Sequence, residues 1–344
     1  MNTIVEENSI VNIESINRVK FSALKPVQKR EPIISCDDGL ISTRGNLSVI
    51  TGQSKSGKSA VAGAIIAGNL TKSNQGVDTL GLKITPNDKG EGVIYINTEL
   101  SHADFDVFNR NILKRAGLEL EPSLFHSYNF LEDGPDAILV KTKLVTEALS
   151  TKHKLRLLVI DGVAEYLWNV NSAEDSNALI GQLMNLARQY NMVIILIIHN
   201  NPGDEGKARG HLGSHLERKC ETMLEIKKKG ERSIITQKVL RNSGNFTPLA
   251  FTYNHALGYH TFEGSIDLLQ QAVTTKRKVE KRDKIHLNLI EIFEKQQSLP
   301  YAEFCALIKQ KFKVEIDRAK QLVREFKRMS LVEQNETGEY FLIK

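Results

Sequence analysis

Cysteines and long apolar runs are scarce in this chain, and each scarcity limits the class of protein to which it can belong. Only three of its 344 residues are cysteines, Cys36, Cys220 and Cys305. They are odd in number, far apart and without metal-ligand spacing, which predicts buried thiols in a reducing compartment. The longest apolar run, residues 192–198, is far too short to cross a bilayer. Residues 1–22 lack a cationic start followed by an apolar stretch. We therefore expect a cytoplasmic protein with no membrane partner.

The positive charge of the chain is unevenly distributed. The formal net charge is +5, and residues 276–344 contain 16 Lys and Arg against 11 Asp and Glu. Residues 1–275 are therefore neutral, and all the excess positive charge lies in the C-terminal fifth. The hydrophobic content of 41% is ample for one large domain and a small one.

Residues 45–59 combine an apolar run with a glycine-rich loop. Gly52, Gly57, Lys58 and Ser59 have the Walker A spacing G-x-x-x-x-G-K-[ST]. Glycines allow backbone N–H groups to approach phosphate oxygens, and the N-terminus of the helix that follows adds its positive dipole end. The alternative is a glycine-rich turn that binds nothing. The predicted nucleotide-binding residues are Gly52, Gln53, Ser54, Lys55, Ser56, Gly57, Lys58 and Ser59.

Two further apolar runs end in carboxylates. Residues 92–99 end at Glu99, and residues 155–160 are followed by Asp161, which is the Walker B pattern. Parallel strands place their C-terminal ends at one edge of a sheet, so both carboxylates are expected near the P-loop. We predict that Ser59 and Asp161 hold Mg²⁺ beside ATP, with Lys58 on the β- and γ-phosphates.

Signatures of other nucleotide-binding classes are missing. No Asn-Lys-x-Asp sequence, which would read guanine, occurs in the chain. No arginine-rich lid follows the strand that ends at Asp161. A GTPase or a small-molecule kinase is therefore disfavoured.

The order of patterns predicts an α/β fold with a mainly parallel central sheet. The run at residues 192–198 has the composition of a central strand buried on both faces and is followed by His199. A polar, glycine-rich loop over residues 200–213 comes next. Predicted helices span residues 58–70, 102–116, 135–150 and 173–190, and later strands span residues 219–226, 233–240 and 246–253. The predicted domains are an arm or linker over residues 1–32, an ATPase domain over 33–270, a charged linker over 271–283 and a C-terminal domain over 284–344.

The C-terminal domain has the pattern of a winged helix. Three helical segments, residues 285–295, 301–312 and 316–329, are followed by two short strands around a turn. The third helix has Ile316, Ala319, Leu322, Val323 and Phe326 on its predicted core face. Its basic residues lie outside that face, which suits DNA contact, although winged helices also serve protein–protein contacts. The candidate DNA-binding residues of this helix are Arg318, Lys320, Arg324, Lys327 and Arg328.

Several ordered motifs together resemble a known family. They are residues 52–59, Asn97-Thr98-Glu99, residues 158–162, Ile198-His199-Asn200-Asn201 and residues 209–213. Over residues 33–255 the chain resembles the RepA-like branch of the RecA and DnaB ATPases, and most closely the AAA-type ATPases of bacterial plasmids and mobile genetic elements. The resemblance implies a RecA-like core, ATP hydrolysis with Mg²⁺, a homo-oligomer that is typically a hexameric ring, and DNA as a partner.

The resemblance also implies roles for individual residues. Glu99 corresponds to the glutamate that activates the attacking water, and His199 to the residue that senses the γ-phosphate. Lys207, Arg209 and His211 lie in the segment that contacts single-stranded DNA in such motors. Arg241 falls where the family supplies a basic residue to the neighbouring subunit's γ-phosphate, but the usual Lys-x-Arg pair is incomplete because Lys238 is out of register.

Two functions fit these patterns. The first is an oligomeric, ATP-driven motor, such as a helicase or a remodelling ATPase, that acts on DNA. The second is an ATP-switched DNA-binding regulator or assembly factor that does not unwind DNA.

Overall fold

The computed structural model describes residues 4–6, 9–11, 13–26, 30–37, 39–73, 75–201 and 208–343. The chain divides into two compact units, Met1–Glu263 and Gly264–Lys344. None of the described helices combines the length and apolar character that a membrane crossing needs.

The first unit alternates strands and helices. In chain order its elements are β1 (Ile4–Glu6), β2 (Ser9–Val11), α1 (Ile13–Arg18), β3 (Pro32–Cys36), β4 (Gly39–Thr43), β5 (Leu47–Gly52), α2 (Lys58–Asn69), β6 (Lys83–Ile84), β7 (Gly92–Asn97), α3 (His102–Arg115), β8 (Phe125–Asn129), α4 (Pro135–Ser150), β9 (Leu155–Asp161), α5 (Ala173–Gln189), β10 (Val193–His199), α6 (Gly210–Lys219), β11 (Thr222–Lys229), β12 (Arg232–Leu240) and β13 (Leu249–Asn254). The last strand, β14 (Tyr259–Ser265), ends at the boundary with the second unit.

A nine-stranded sheet organises the described part of this unit, in the order β14-β13-β12-β11-β5-β10-β9-β7-β8. The six strands from β11 to β8 are parallel, and β12 and β13 extend the sheet with antiparallel pairing. Strands β5, β7 and β9 are buried along their whole length, because one apolar cluster covers each face of the sheet. Helix α2 contributes to one cluster, and helices α4 and α5 contribute to the other. The predicted α/β fold with a mainly parallel central sheet is confirmed.

Some segments of the first unit differ from their predicted secondary structure. Residues 210–219 form helix α6, whereas the sequence pattern predicts a loop to residue 213 and a strand from residue 219. The glycines that suggest a loop have a packing role, since a Cβ on Gly213 would lie 2.4 Å from the backbone carbon of Ala208. The edge strand β8 was also not predicted, because Phe-His-Ser-Tyr-Asn has no continuous apolar run.

The second unit contains α7 (Ile266–Phe293), α8 (Tyr301–Phe312), α9 (Ile316–Arg328), β15 (Val332–Gln334) and β16 (Tyr340–Leu342). Strands β15 and β16 pair antiparallel. The charged segment expected as a linker lies within the continuous helix α7. The helix expected over residues 285–295 is the C-terminal part of α7, which ends at Phe293. Ala319, Val323 and Phe326 of α9 are buried, but Ile316 is 38% exposed, so its predicted place in the core was wrong. It lies in the first turn of α9, at the end of the buried face.

A buried ion cluster joins strand β9 to the segments that precede β5 and β7, near the amino ends of the central strands. The Glu91 carboxylate contacts the Arg44 guanidinium and lies 3.4 Å from Nη1 of Arg156. All three side chains are at most 7% exposed. Burial alone would raise the pKa of Glu91, but the positive charges around it outweigh burial and lower that pKa. Arg44 also pairs with Glu31, whose side chain is 67% exposed.

Glu91→Gln leaves the buried Arg156 guanidinium without its counter-ion and leaves Arg44 paired only with the exposed Glu31. We expect it to lower the free energy of unfolding by about 3–5 kcal/mol. Glu31→Gln removes an exposed partner of the same Arg44 and should cost at most about 1 kcal/mol. Urea unfolding of the two variants measures both values, and equal losses would contradict the assigned importance of the buried pair.

Candidate active site

Parallel register brings the ends of four neighbouring strands to one edge of the sheet. His199 of β10 lies opposite Gly52 of β5, and Asp161 of β9 lies opposite both Ile197 of β10 and Asn97 of β7. Asn97 is two residues before Glu99. The glycine-rich loop, both predicted carboxylates and His199 therefore leave the same edge of the sheet.

The glycine-rich loop depends on two glycines with backbone angles that side chains disfavour. Gly52 has φ +155° and Gly57 has φ +100°. A Cβ on Gly52 would lie 2.4 Å from the carbonyl oxygen of Ile226, and one on Gly57 would lie 3.0 Å from the Phe251 ring. Backbone conformation and close packing therefore both require glycine at these two positions of the motif.

Lys58 and Glu99 are linked through His199. Nζ of Lys58 lies 3.0 Å from Nδ1 of His199, and Nε2 of His199 lies 3.0 Å from Oε2 of Glu99. An ammonium group can only donate, so Nδ1 accepts and Nε2 carries the proton that it donates to Glu99. Lys58 also donates to the carbonyl oxygens of Gly52 and Gln53, at 3.1 Å and 2.9 Å. Burial lowers the pKa of Lys58, while the charges of Glu99 and Asp161 act against this.

Asp161 is a buried carboxylate in an acidic setting. It is 2% exposed, and the Tyr95 hydroxyl lies 3.4 Å from its Oδ2. Burial and the charge of Glu99 raise the pKa of Asp161 to about 6, against hydrogen bonding from Ser59 and the charge of Lys58. Thr98 donates to the Asp161 carbonyl at 2.9 Å, which ties this strand end to the segment that carries Glu99.

One cleft of about 530 Å³ is bordered by the side chains described above. Lys58, Glu99, Asp161 and His199 line it together with the loop residues Lys55, Ser56, Gly57 and Ser59. The structure thus brings Lys58, Glu99, Asp161 and His199 together, whereas Gln53 and Ser54 of the predicted nucleotide-binding loop line an adjoining cleft.

An aromatic wall that sequence reasoning missed forms the other side of this cleft. Tyr253, Tyr259 and His260 of the β13–β14 hairpin line the cleft. The His260 ring makes edge contacts with Phe251 and Tyr253, at centroid distances of 5.5 Å and 5.3 Å. Phe251 and Tyr253 alternate with Ala250 and Thr252, which places them on one strand face, but this spacing does not indicate which site that face borders.

Helix α3 fixes the position of the aromatic wall. Arg115 is 5% exposed, and its Nη2 donates to the carbonyl of His260 at 2.5 Å. Its guanidinium also lies 4.3 Å from the centroid of the Tyr259 ring. Asn111 and Lys114 donate to the carbonyls of Gly258 and Leu257. Because α3 begins just after Glu99, the same helix positions both the aromatic wall and the predicted catalytic carboxylate.

The oxygen donors in the cleft fit Mg²⁺. The hydroxyl of Ser59 and the carboxylate of Asp161 interact and line the same space. Among the described residues no group of three or more His, Cys, Asp or Glu could hold a metal ion. Mg²⁺ commonly takes one or two protein oxygens and completes its shell with phosphate and water, which is the arrangement these two residues allow.

The remaining predicted residues lie away from this cleft or outside the description. Arg241 follows β12, whose last residue lies opposite Thr222 at the amino end of β11. Its guanidinium contacts the carbonyl of Arg218. Arg209 and His211 are exposed at the start of α6, and Lys207 lies outside the described residues.

The basic residues of α9 are exposed, but they differ in their partners. Arg318 pairs with Glu325 at 2.7 Å, and Lys320 pairs with Asp317 at 3.1 Å. Arg324, Lys327 and Arg328 make no ion pair among the described residues. The positive charge available to a ligand therefore comes chiefly from these three.

The fold and the cleft define a P-loop nucleotide-binding protein. A family model described as an AAA domain matches residues 17–205, which is more than half of the chain. The protein belongs to this family and is an ATPase of the AAA and RecA-like type. A search of curated proteins gives no match. The matched range contains the glycine-rich loop, Glu99, Asp161 and His199.

Asp161→Asn should stabilise the nucleotide-free protein in a pH-dependent way. A folded-state pKa of about 6 lies above the ordinary aspartate value, so ionised Asp161 destabilises the fold above pH 6. This cost disappears as the pH falls through about 6 toward about 4. We expect a gain in unfolding free energy of up to about 3 kcal/mol at about pH 8 that shrinks toward zero near pH 4.

Urea unfolding without nucleotide at several pH values measures this gain. Asp106→Asn is the matched control, because Asp106 is exposed on α3. It should change stability by less than about 0.5 kcal/mol at every pH. A destabilised Asp161→Asn protein at pH 8 would contradict the account of this carboxylate.

Proposed function

We propose that this protein is a RepA-like, oligomeric ATPase that hydrolyses ATP and acts on DNA. The observation that carries the proposal is the hydrogen-bonded chain from Lys58 through His199 to Glu99, beside Asp161. This chain of hydrogen bonds links a predicted phosphate-binding cation to a carboxylate, and both groups line the same cleft. The aromatic wall offers a surface on which the nucleobase stacks.

ATP hydrolysis in this cleft follows from the positions of the side chains. The triphosphate binds along the glycine-rich loop, and Lys58 exchanges its carbonyl partners and His199 for the β- and γ-phosphate oxygens. Mg²⁺, held through Ser59 and Asp161, would supply charge neutralisation on the phosphates. Glu99 orients a water molecule and accepts its proton as the water oxygen bonds to the γ-phosphorus. The bond from this phosphorus to the β–γ bridging oxygen breaks, and ADP leaves with its oxygen.

His199 couples phosphate binding to Glu99. With Lys58 withdrawn to the triphosphate, Nδ1 of His199 is released while Nε2 can still donate to Glu99. The backbone of His199 also accepts from the N–H of Arg209 at 2.9 Å. A change at the γ-phosphate can therefore reach the basic segment that follows β10.

The test of the ATPase mechanism uses two variants with different signatures. Lys58→Ala should weaken ATP binding and abolish turnover, since it removes the cation that contacts the phosphates. Glu99→Gln should keep ATP bound but lower the hydrolysis rate by at least about 100-fold, because an amide cannot accept the proton of water. Steady-state ATPase assays and equilibrium ATP binding separate the two effects. Normal turnover in Glu99→Gln would place the general base elsewhere.

The DNA-acting role is tested by the same assay with single-stranded DNA. We expect single-stranded DNA to stimulate hydrolysis by the wild-type protein. The exposed residues Arg209 and His211 and the uneven charge of the chain support this expectation. Lys207 belongs to the same predicted DNA-contacting segment. Unchanged ATPase rates at saturating single-stranded DNA would count against a motor.

Arg241 supports an oligomeric active site. It is exposed and lies at the amino edge of the sheet, whereas the cleft lies at the carboxyl edge. Strand β12 spans about 30 Å between these edges at roughly 3.3 Å per residue. This separation supports the proposal that Arg241 serves an adjoining subunit's γ-phosphate rather than its own, as in a ring or filament, with a hexameric ring as the proposed form.

Mixing two inactive variants tests this arrangement. Lys58→Ala lacks a working nucleotide site, and Arg241→Ala lacks the residue proposed to act on a neighbour. In mixed oligomers some sites pair an intact Lys58 with a neighbour's intact Arg241, so we expect ATPase activity to reappear. Arg218→Ala is the control variant: it changes a neighbouring side chain but keeps Arg241, so it shows how far a local structural change alone affects ATPase activity. If Arg241→Ala hydrolyses ATP at the wild-type rate, the proposed trans contact is wrong.

A second candidate is an ATP-switched regulator that binds duplex DNA without unwinding it. Three helices and a two-stranded hairpin in the second unit support this candidate, because the proposed winged helix is built from these elements. Its helix α9 exposes Arg324, Lys327 and Arg328. Stoichiometric, ATP-dependent binding of duplex DNA without strand separation would favour this candidate over the motor.

A further inference from the structure

A second cleft of about 330 Å³ adjoins the nucleotide cleft. It is lined by Gln53 and Ser54 of the glycine-rich loop, by Asn200, and by Lys227, Lys228 and Lys229 at the end of β11. Of these, Lys228 also lines the nucleotide cleft. The two clefts therefore have one cation in common.

Strand register explains the position of the three lysines. Ile226 of β11 lies opposite Gly52, the last residue of β5. The lysines extend about 10 Å further, past the end of β5 and alongside the glycine-rich loop. Their partners on β12 are Ile234, Ser233 and Arg232, so the projecting segment remains a paired hairpin.

Two of the three lysines keep their charge available. Lys227 pairs with Glu225 at 3.0 Å, and Arg232 pairs with Glu263 at 2.5 Å. Lys228 and Lys229 are exposed and form no ion pair among the described residues. Glu225 is itself buried and satisfied by Lys227 and Asn200. Glu231, in the turn between β11 and β12, is also exposed and without an ion pair among the described residues. Two free lysines against one free carboxylate leave the hairpin tip with a net positive charge.

The segment that follows β10 connects this cleft to the start of α6, which has a further exposed cation. Gln53 donates from Nε2 to the Asn201 carbonyl at 3.1 Å, and Oδ1 of Asn201 accepts from the Gly210 backbone at 3.4 Å. Gly210 is next to the exposed Arg209. Lys228, Lys229 and Arg209 thus flank the Asn200–Asn201 segment, which suits a chain of phosphates better than a single small anion.

We propose that the hairpin tip at Lys228 and Lys229, with the outer side of the glycine-rich loop, binds the phosphodiester backbone of single-stranded DNA. This inference rests on the DNA-acting function proposed above and names residues that act in it. Lys228 then lies between the DNA backbone and the nucleotide, both of which are anionic. Its side chain therefore connects the proposed DNA site to the nucleotide cleft. Lys229 serves DNA alone, because it lines only the second cleft.

The test measures how the affinity for fluorescently labelled oligo(dT) depends on salt between 50 and 200 mM. Each lost phosphate contact lowers the magnitude of the slope of log K against log salt by about 0.7 for a single strand. Lys229→Gln should show this loss with unchanged ATP binding. Lys228→Gln should show the same loss and should also bind ATP more weakly.

Lys72→Gln is the matched control for charge. Lys72 is exposed and lies beyond the C-terminal end of α2, roughly 18 Å along that helix from the glycine-rich loop. This variant should keep the wild-type slope and the wild-type ATP affinity. ATP binding in each variant also reports that the first unit is folded.

The outcomes separate this inference from the function on which it rests. If wild-type protein binds oligo(dT) and Lys229→Gln has the same slope, the inference is overturned while the DNA-acting function stands. If wild-type protein does not bind oligo(dT) at any salt concentration, both are overturned. Tighter binding of a poly-glutamate peptide than of oligo(dT), lost in Lys229→Gln, would assign the tip to an acidic protein partner and also overturn the inference.

Discussion

The parallel register of β5, β10, β9 and β7 is the constraint on which the candidate site depends. It sets His199 beside Gly52 and Asp161 beside Asn97, with the second pair two residues earlier along the strands. The side chains of the proposed mechanism lie at or just beyond these strand ends. A shift of one residue in any of these strands would turn its side chains to the opposite face. Burial on both sheet faces enforces the register, because each strand packs into two apolar clusters at once.

The cationic and anionic groups of the cleft satisfy one another. Lys58 bonds two loop carbonyls and His199, and His199 bonds Glu99. These are groups that a triphosphate would engage, so nucleotide binding exchanges existing hydrogen bonds for new ones. The raised pKa of Asp161 fits the same view, since a buried carboxylate near Glu99 lacks the full positive charge that would favour its ionised form.

The glycine-rich loop, the strand ends and the mainly parallel sheet could be predicted from sequence because each depends on local composition. Continuous apolar runs mark strands buried on both faces, and Gly52 and Gly57 are required by the loop itself. The aromatic wall could not be found in this way, because it requires β13 and β14 to pair and α3 to hold their turn through Arg115. Helix α6 was missed because Gly213, which packs against Ala208, looks like a loop residue in the sequence.

The central claim is that a triphosphate replaces His199 as the partner of Lys58 in a cleft that also contains Glu99 and Asp161. A crystal structure of the protein with Mg²⁺ and a non-hydrolysable ATP analogue tests it most directly. The account predicts Nζ of Lys58 within hydrogen-bond distance of the β- and γ-phosphates, and the Glu99 carboxylate facing the γ-phosphorus across a water molecule. An analogue bound elsewhere, with Lys58 still on His199, would contradict it.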